Sequence, residues 1–243
     1  MEDANTLIVK YLSRICTDSK IYVDIGSSNQ TNLNSDLIED SEFTLFIEAD
    51  SQKSQHWEPA SNFKIINEFA TPSNIQGLVS PYIKDKDVAY LDIDIDGYDY
   101  YVLESFLNYK RPYIFIAEIN EKIPPPIKFS VLFDENYWWD SSHFFGMSIS
   151  KIFDLIERYQ YDLIQLNGNN VICIRKDKNF TNLSLSAEDA YNEGYKNPRL
   201  SGELSCFDYN SDMDFLLSLP TEQALQAVRE KFLIHDGKFI INI

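Results

Sequence analysis

An α/β fold with a mostly parallel sheet is what the sequence predicts from residue 19 to about residue 177. Short apolar runs alternate there with helical or polar stretches, the rhythm of strand-helix-strand units. The first five runs are apolar nearly throughout, as strands buried on both faces are. The last two flank Asn167-Gly168-Asn169-Asn170. Asn-Gly is a strong hairpin signal, so the sheet is expected to end in an antiparallel pair.

The elements follow in order. A helix is expected around Leu7–Ile15, within an N-terminal stretch 1–18. Strand candidates are Ile21–Ile25, Thr44–Ala49, Phe63–Asn67, Val88–Ile93, Tyr113–Ile119, Tyr161–Leu166 and Val171–Arg175. Val102, Leu103, Phe106 and Leu107 fall on one helical stripe, and Ile149, Ile152, Phe153, Ile156 and Tyr159 on another. Between these helices, residues 121–147 hold Pro124-Pro125-Pro126 and the aromatic run Tyr137 to Gly146, which reads as a long loop covering a site. Residues 178–210 are rich in Asn and Ser and read as irregular. Thr221–Lys231 reads as a helix opened by Pro220. The expected organisation is a main domain over 19–177 with an appendage, 178–243, packed on it.

Composition narrows the function. The chain has 243 residues, with 21 Lys+Arg against 38 Asp+Glu and a net charge of −17. So negative a surface repels phosphate backbones and anionic lipid heads, which argues against general nucleic-acid or membrane-surface binding. The longest apolar run, Tyr113 to Ala117, is far short of a membrane span. Glu2 and Asp3 stand where a secretory signal carries positive charge. Cys16, Cys173 and Cys206 are scattered, without CxxC spacing, as suits a reducing compartment. A cytoplasmic location is the expectation, with homo-oligomerisation left open.

Four groups of residues carry chemistry. Asp24-Ile25-Gly26-Ser27-Ser28-Asn29 ends the first strand with an acid, a glycine and small polar residues. Gly26 permits a close backbone approach, and Ser27 and Ser28 offer N–H groups and hydroxyls to a polar ligand. No second glycine occurs before Gly77, so the G-x-G-x-x-G fingerprint is absent, and no Walker motif replaces it. An ordinary strand-to-helix turn explains this group equally well.

The second strand ends in Glu48-Ala49-Asp50, with Glu48 24 residues after Asp24. An acid at that tip is placed to accept both hydroxyls of a ribose. A nucleoside cofactor without a pyrophosphate suits these two groups better than NAD does, and S-adenosylmethionine is such a molecule.

The third group is Asp92-Ile93-Asp94-Ile95-Asp96-Gly97-Tyr98-Asp99, four acids at one strand end. A divalent cation such as Mg or Mn would compensate their repulsion. An EF-hand is excluded, because its twelfth position is Leu103 and a strand precedes it. The Asp92-Ile93-Asp94 pattern also suits a metal-dependent sugar-nucleotide transferase or an aspartyl-phosphate phosphatase, and a solvated acidic strand end is the plainest alternative.

The fourth group, Glu118-Ile119-Asn120-Glu121, ends the next strand. Adjacent parallel strands would bring Glu118 and Asn120 beside Asp94 and Asp96, completing an oxygen-ligand set. His143, in the aromatic loop, is the best-placed neutral base, whereas His56 and His235 have no such company.

Together these groups resemble a class I S-adenosylmethionine-dependent methyltransferase of the FkbM-like family. The similar pieces are Val23-Asp24-Ile25-Gly26, Ile47-Glu48-Ala49-Asp50 and Leu91 to Asp99 with Val102-Leu103, which matches a D-x-[ED]-G-x-[ED]-x-x-V-L signature. Arg111-Pro112 through Asn120, Phe144-Phe145-Gly146-Met147-Ser148 and Asn169 to Arg175 resemble a bacterial branch. The chain departs from the family at Ser27-Ser28-Asn29, where many methyltransferases carry a second glycine, and at Asp92, where many relatives carry Lys.

The resemblance implies a Rossmann-like seven-stranded sheet with helices on both faces. It also implies methyl transfer to an oxygen of a sugar, a nucleotide-linked sugar for surface polysaccharide, or a natural product. Asp24, Gly26, Ser27, Ser28, Asn29, Glu48, Ala49, Asp50 and Asp92 would then bind S-adenosylmethionine. Asp94, Asp96 and Glu118, with Asn120, would hold the metal. Asp94, Asp96 and His143 would be catalytic, with Trp138, Trp139, Phe144 and Phe145 closing over a small, sugar-like acceptor. A sugar-nucleotide transferase is the main rival class, and a non-catalytic binding protein on the same fold is the other.

Overall fold

A computed structural model describes residues 4–15, 20–27, 41–54 and 61–243. Ser28, Asn29, Cys16 and His56 lie outside the described residues. The chain forms two compact units, one of residues 1–95 and 101–117 and a second of residues 96–100 and 118–243.

In the first unit, β1 (Ile21–Ile25) lies between its parallel neighbours β2 (Phe43–Ile47) and β4 (Val88–Ile93), with β3 (Phe63–Ile66) beyond β2. All five β1 residues are buried, which is why the run is apolar apart from Asp24 at its tip. The register sets Asp24 beside Phe46 on one side and Asp92 on the other. Helices α1 (Ala4–Ile15), α2 (Ser51–Ser54), α3 (Ile75–Ile83) and α4 (Asp99–Tyr109) alternate with the strands. The stripe read at Val102, Leu103, Phe106 and Leu107 is fully buried. β5 (Ile114–Glu118) pairs parallel with β4.

The sheet order is β3-β2-β1-β4-β5-β8-β7, a seven-stranded, mostly parallel sheet whose last two strands form the expected antiparallel hairpin. The order reverses beside β1, and the crevice at such a switch point is where open α/β sheets bind ligands.

In the second unit, β7 (Tyr161–Asn167) and β8 (Asn170–Arg175) are joined through Gly168, whose φ of +64° suits a primed turn. Helix α5 (Ile149–Arg158) starts at Ser148, a buried N-cap that accepts from Lys151 N. The same hydroxyl accepts from Phe129 N at 3.0 Å and donates to Ile127 O at 2.7 Å. The start of α5 is thereby stitched to β6 (Lys128–Val131).

Two sequence expectations fail in this unit. Residues 121–147 are not one loop, since β6 pairs antiparallel with β9 (Phe239–Asn242). Each strand is four residues long, too short for a visible alternation, and each depends on a partner more than a hundred residues away. Residues 178–210 are irregular only in part: 179–186 hold no helix or strand, but α6 (Ala187–Tyr191), a π-helical turn over Asn192–Lys196 and α7 (Asn197–Ser201) run on from one another. Gly194 in that turn lies so close to Leu166 that a Cβ would sit 2.1 Å from its carbonyl oxygen. Helix α8 (Thr221–Lys231) follows Pro220 as expected. Phe129, Val131, Phe144, Met213, Leu216, Val228 and Phe232 form a core that joins β6 to the C-terminal residues. Among the described residues, no helix is long and apolar enough to cross a membrane.

Candidate active site

At the strand tips of the first unit, three backbone segments converge. Gly26 N–H donates to Ile47 O at 2.9 Å, and Asp94 N–H donates to Ile25 O at 2.9 Å. Gly26 has a φ of +90°, and a Cβ there would lie 1.7 Å from Asp94 O. The close backbone neighbour of Gly26 is the chain's own β4 tip.

Asp24 and Glu48 are both buried at these tips. Burial pushes the Asp24 carboxyl well above the usual carboxylate range, and the charges of Asp92, Asp94 and Glu48 add to the shift. Asp92 is pushed up to about 6 by burial, even though Tyr90 Oη donates to its Oδ2 at 2.9 Å. This local excess of carboxylate suits a cationic ligand.

The remaining predicted cofactor residues have local structural partners. Ser27 Oγ donates to Asp24 O at 3.0 Å, so the hydroxyl holds the turn. Glu48 Oε1 accepts from Asp50 N at 2.7 Å, and Asp50 Oδ1 accepts from Gln52 N at 2.9 Å, capping α2. Ala49 links these two acids in the same turn.

Because Asp92 has a folded pKa above its unfolded value, the stability it contributes is present below about pH 4 and lost as pH rises through about 6. The Asp92→Asn variant is therefore expected to gain stability over the parent at pH 8 but not at pH 4. Urea unfolding at the two pH values measures this, and an equal difference at both contradicts it.

In the second unit, carboxylate oxygens of Asp96 and Glu118 lie within 4.8 Å of one another. Asp96 adopts a φ of +54°, a left-handed conformation that Asp tolerates better than most residues. Tyr137 Oη donates to Phe144 O at 2.8 Å and lies 3.2 Å from Asp96 O. Glu118 Oε1 accepts from Asn169 Nδ2 at 2.6 Å, a contact supplied by the hairpin turn. Asn120, fully buried, donates from Nδ2 to His143 O and Phe145 O, both at 2.9 Å. Its Oδ1 is buried without a hydrogen-bond partner. Asp99 is also buried and accepts from Gly97 N at the start of α4.

His143 Nε2 lies 2.8 Å from Asp212 Oδ1, and Lys231 Nζ lies 2.6 Å from Asp212 Oδ2. Lys231 first, and His143 with it, hold the Asp212 carboxyl below the usual range. An ionised Asp212 fixes the His143 tautomer with the proton on Nε2 and leaves Nδ1 as the basic nitrogen.

The aromatic residues expected to close over the site divide between the core and the surface. Phe144 and Phe145 are buried; Phe144 stacks on His235 at 3.9 Å and packs in the core. Trp138 is exposed, and Trp139 Nε1 donates to Ser142 O.

Sequence reasoning missed a second charged group in this unit. Glu121 and Lys122 side chains are both fully buried and paired at 3.0 Å. Asn210 Nδ2 donates to Glu121 Oε1 at 2.6 Å and to Tyr195 Oη at 2.9 Å, while Tyr191 Oη donates to Glu121 O. The adjacent charges Glu121-Lys122 after an apolar strand were the available signal; Asn210, 89 residues on, had none.

No protein-family model matches this sequence, and no curated protein does either. Solved structures do. A putative hemolysin from Streptococcus thermophilus is 10% identical, with 82% of this chain and 75% of that chain covered at a TM-score of 0.50. An rRNA methylase from Streptococcus thermophilus is 13% identical over 72% of this chain and 98% of its own, with a TM-score of 0.41. A SAM-dependent methyltransferase from Aquifex aeolicus is 10% identical over 71% and 94%, also at 0.41. The first of these likenesses shows the fold alone, and the other two carry no argument. The FkbM-like resemblance rests on the residues quoted for it.

Proposed function

We propose that the chain is an S-adenosylmethionine-dependent O-methyltransferase acting on a hydroxyl of a small molecule, a sugar or nucleotide-linked sugar. The observation that carries this reading is the pair of buried acids, Asp24 and Glu48, at the tips of adjacent strands beside the switch point. Glu48 suits the hydroxyls of a ribose, and the surrounding carboxylates suit a sulfonium and an ammonium group. Asp24, Gly26, Ser27, Glu48, Ala49, Asp50 and Asp92, with Ser28 and Asn29, would form the cofactor site. When bound, S-adenosylmethionine supplies the methyl group.

The chain's own tasks are alignment and activation of the acceptor. His143, held by Asp212, would take the hydroxyl proton on Nδ1. Asp94, Asp96 and Glu118, with Asn120 Oδ1, would hold Mg or Mn, hard cations that such oxygens favour. The buried oxygen of Asn120 and the close pair Asp96 and Glu118 fit a cation. A cation at these residues would stabilise the developing alkoxide.

Calorimetric titration with S-adenosylhomocysteine tests the core of the reading, and absence of heat overturns it. Heat with a nucleoside diphosphate sugar in its place would support the transferase reading of Asp92-Ile93-Asp94. Mass analysis of nucleotide sugars incubated with protein and S-adenosylmethionine should reveal an added methyl group. Chelation with EDTA is expected to lower turnover at least about tenfold, since a metal ion contributes several kcal/mol of charge stabilisation. Full activity after chelation removes the metal from the proposal.

A further inference from the structure

The turn between β7 and β8, which the sequence marks only as a hairpin, is bonded to Glu118 and to the residue after it. Asn169 Nδ2 donates to Glu118 Oε1 at 2.6 Å, and Ile119 N donates to Asn169 O at 2.7 Å. Asn170 Nδ2 donates to Asn169 Oδ1 at 3.1 Å, so both ends of the Asn169 amide are engaged and its orientation is settled. The turn is itself fixed. Gly168 N donates to Gly194 O at 3.2 Å, and a Cβ at Gly168 would meet the Phe207 ring at 2.8 Å.

Asn120 stands two residues beyond Glu118. The N–H of Ile119 points to Asn169 and that of Asn120 to Met147 O, at 2.7 Å each, in opposite directions. The stretch is therefore extended, and the side chains of Glu118 and Asn120 leave it on the same face. Both Nδ2 hydrogens of Asn120 are used on the carbonyls of His143 and Phe145. Its Oδ1, fully buried and without a hydrogen-bond partner, is the atom it presents, a hard neutral oxygen that suits a cation.

We propose that Asn169 makes Glu118 a single-oxygen ligand, and that the site of Asp96, Glu118 and Asn120 thereby selects a small octahedral cation, magnesium or manganese, over calcium. The inference rests on the cation part of the proposed function and adds to it a positioning residue and a selectivity. A chelating carboxylate turns both oxygens to the ion, whereas the 2.6 Å bond holds Oε1 on the hairpin turn. Calcium takes about six to eight oxygens in flexible geometry, and bidentate carboxylates help to supply them. Magnesium and manganese take fewer oxygens at octahedral positions, which single oxygens fill. Burial reinforces the choice: Glu118 is 8% exposed and Asn120 has no exposure, so neither side chain can swing aside to admit a larger ion. Asn169 acts through Glu118 and is a positioning residue.

The test titrates the intact protein with Mn(II), followed by the electron paramagnetic resonance signal of the free ion, and then displaces it with Ca(II). The parent is expected to bind manganese at least about tenfold more tightly than calcium. Asn169→Ala should weaken manganese binding about tenfold, the scale on which partners of metal ligands act, while calcium binding holds or tightens. The preference for manganese then falls by the same factor. Asn169→Asp keeps the shape of the side chain and its bond from Asn170 but loses the donor, and should move the preference the same way. Asn170→Ala, in the same turn, spares the bond to Glu118 and should leave the preference unchanged. An unchanged preference in Asn169→Ala and Asn169→Asp, including equal weakening of both ions, overturns the proposal and leaves the cation reading standing. A like change in Asn170→Ala assigns the effect to the turn as a whole and overturns it, as does a parent that binds calcium as tightly as manganese. A parent that leaves the free Mn(II) signal undiminished overturns the cation reading, and the proposal with it.

Discussion

Gly26→Ala is expected to lose S-adenosylhomocysteine binding and more than about 4 kcal/mol of stability, the range reserved for substitutions that force the backbone apart. A Cβ at this position would lie 1.7 Å from Asp94 O and 2.5 Å from Asp94 C, with no flexible side chain to yield. The φ of +90° adds strain for any L side chain. Relief requires separating the tips of β1 and β4, which breaks the 2.9 Å bond between Asp94 N and Ile25 O and displaces Asp24. Gly202→Ala is the matched control: its φ is also positive, at +82°, but nothing lies within 4 Å of the added carbon. That variant should lose only about 1 kcal/mol. Urea unfolding and calorimetry on the two variants measure the contrast, and a Gly26→Ala protein that unfolds and binds like the parent refutes it.

Lys122→Met is expected to destabilise the protein by about 3–5 kcal/mol, because it strands a buried carboxylate. Both side chains of the Glu121–Lys122 pair have no solvent exposure, so water cannot replace the lost ammonium. Asn210 Nδ2 remains on Glu121 Oε1, while Oε2 has no partner to begin with. At this chain length the loss corresponds to a fall in Tm of about 10 °C. The double variant Glu121→Gln with Lys122→Met should recover at least half of it, since a neutral amide keeps the bond to Asn210 and removes the stranded charge. Thermal unfolding of the single and double variants tests this; equal losses in both would show that packing around Lys122, and not the charge of Glu121, sets its cost.

Residues whose roles are local were legible in the sequence. β1, β4 and β5 are almost wholly buried and apolar apart from an acid near each tip, so the strands at Ile21–Ile25 and Val88–Ile93 match their expected bounds. The stripe from Ile149 to Ile156 became the buried side of α5, although Phe153 is only partly covered. The turn at Gly168 was visible because Asn-Gly favours that geometry whatever surrounds it. The acids at strand tips were visible for a similar reason: Asp24, Glu48, Asp92 and Glu118 interrupt apolar runs where a buried charge needs an explanation.

Roles that depend on distant partners were not. Gly26 read as a place for a ligand to approach, and its nearest neighbour is the carbonyl of Asp94. Phe144 and Phe145 read as parts of a lid and are core residues, because the strand pair of β6 and β9 and helix α8 supply an apolar partner for Phe144 that no local pattern announces. His143 stood out as a loop histidine, but its partner Asp212 lies 69 residues away.

By itself, the sequence determined the strand-helix alternation, the terminal hairpin and the acids at the strand ends. Those follow from periodicity and turn chemistry within a few residues of one another. Only the tertiary structure decided that residues 121–147 join the C-terminal core, that Glu121 and Lys122 form a buried pair with Asn210, and that the hairpin turn holds Glu118. The physical reason is that a buried charge and a packed ring are defined by their partners. Nothing in the residues around Asn210 specifies partners that lie about ninety residues earlier in the chain.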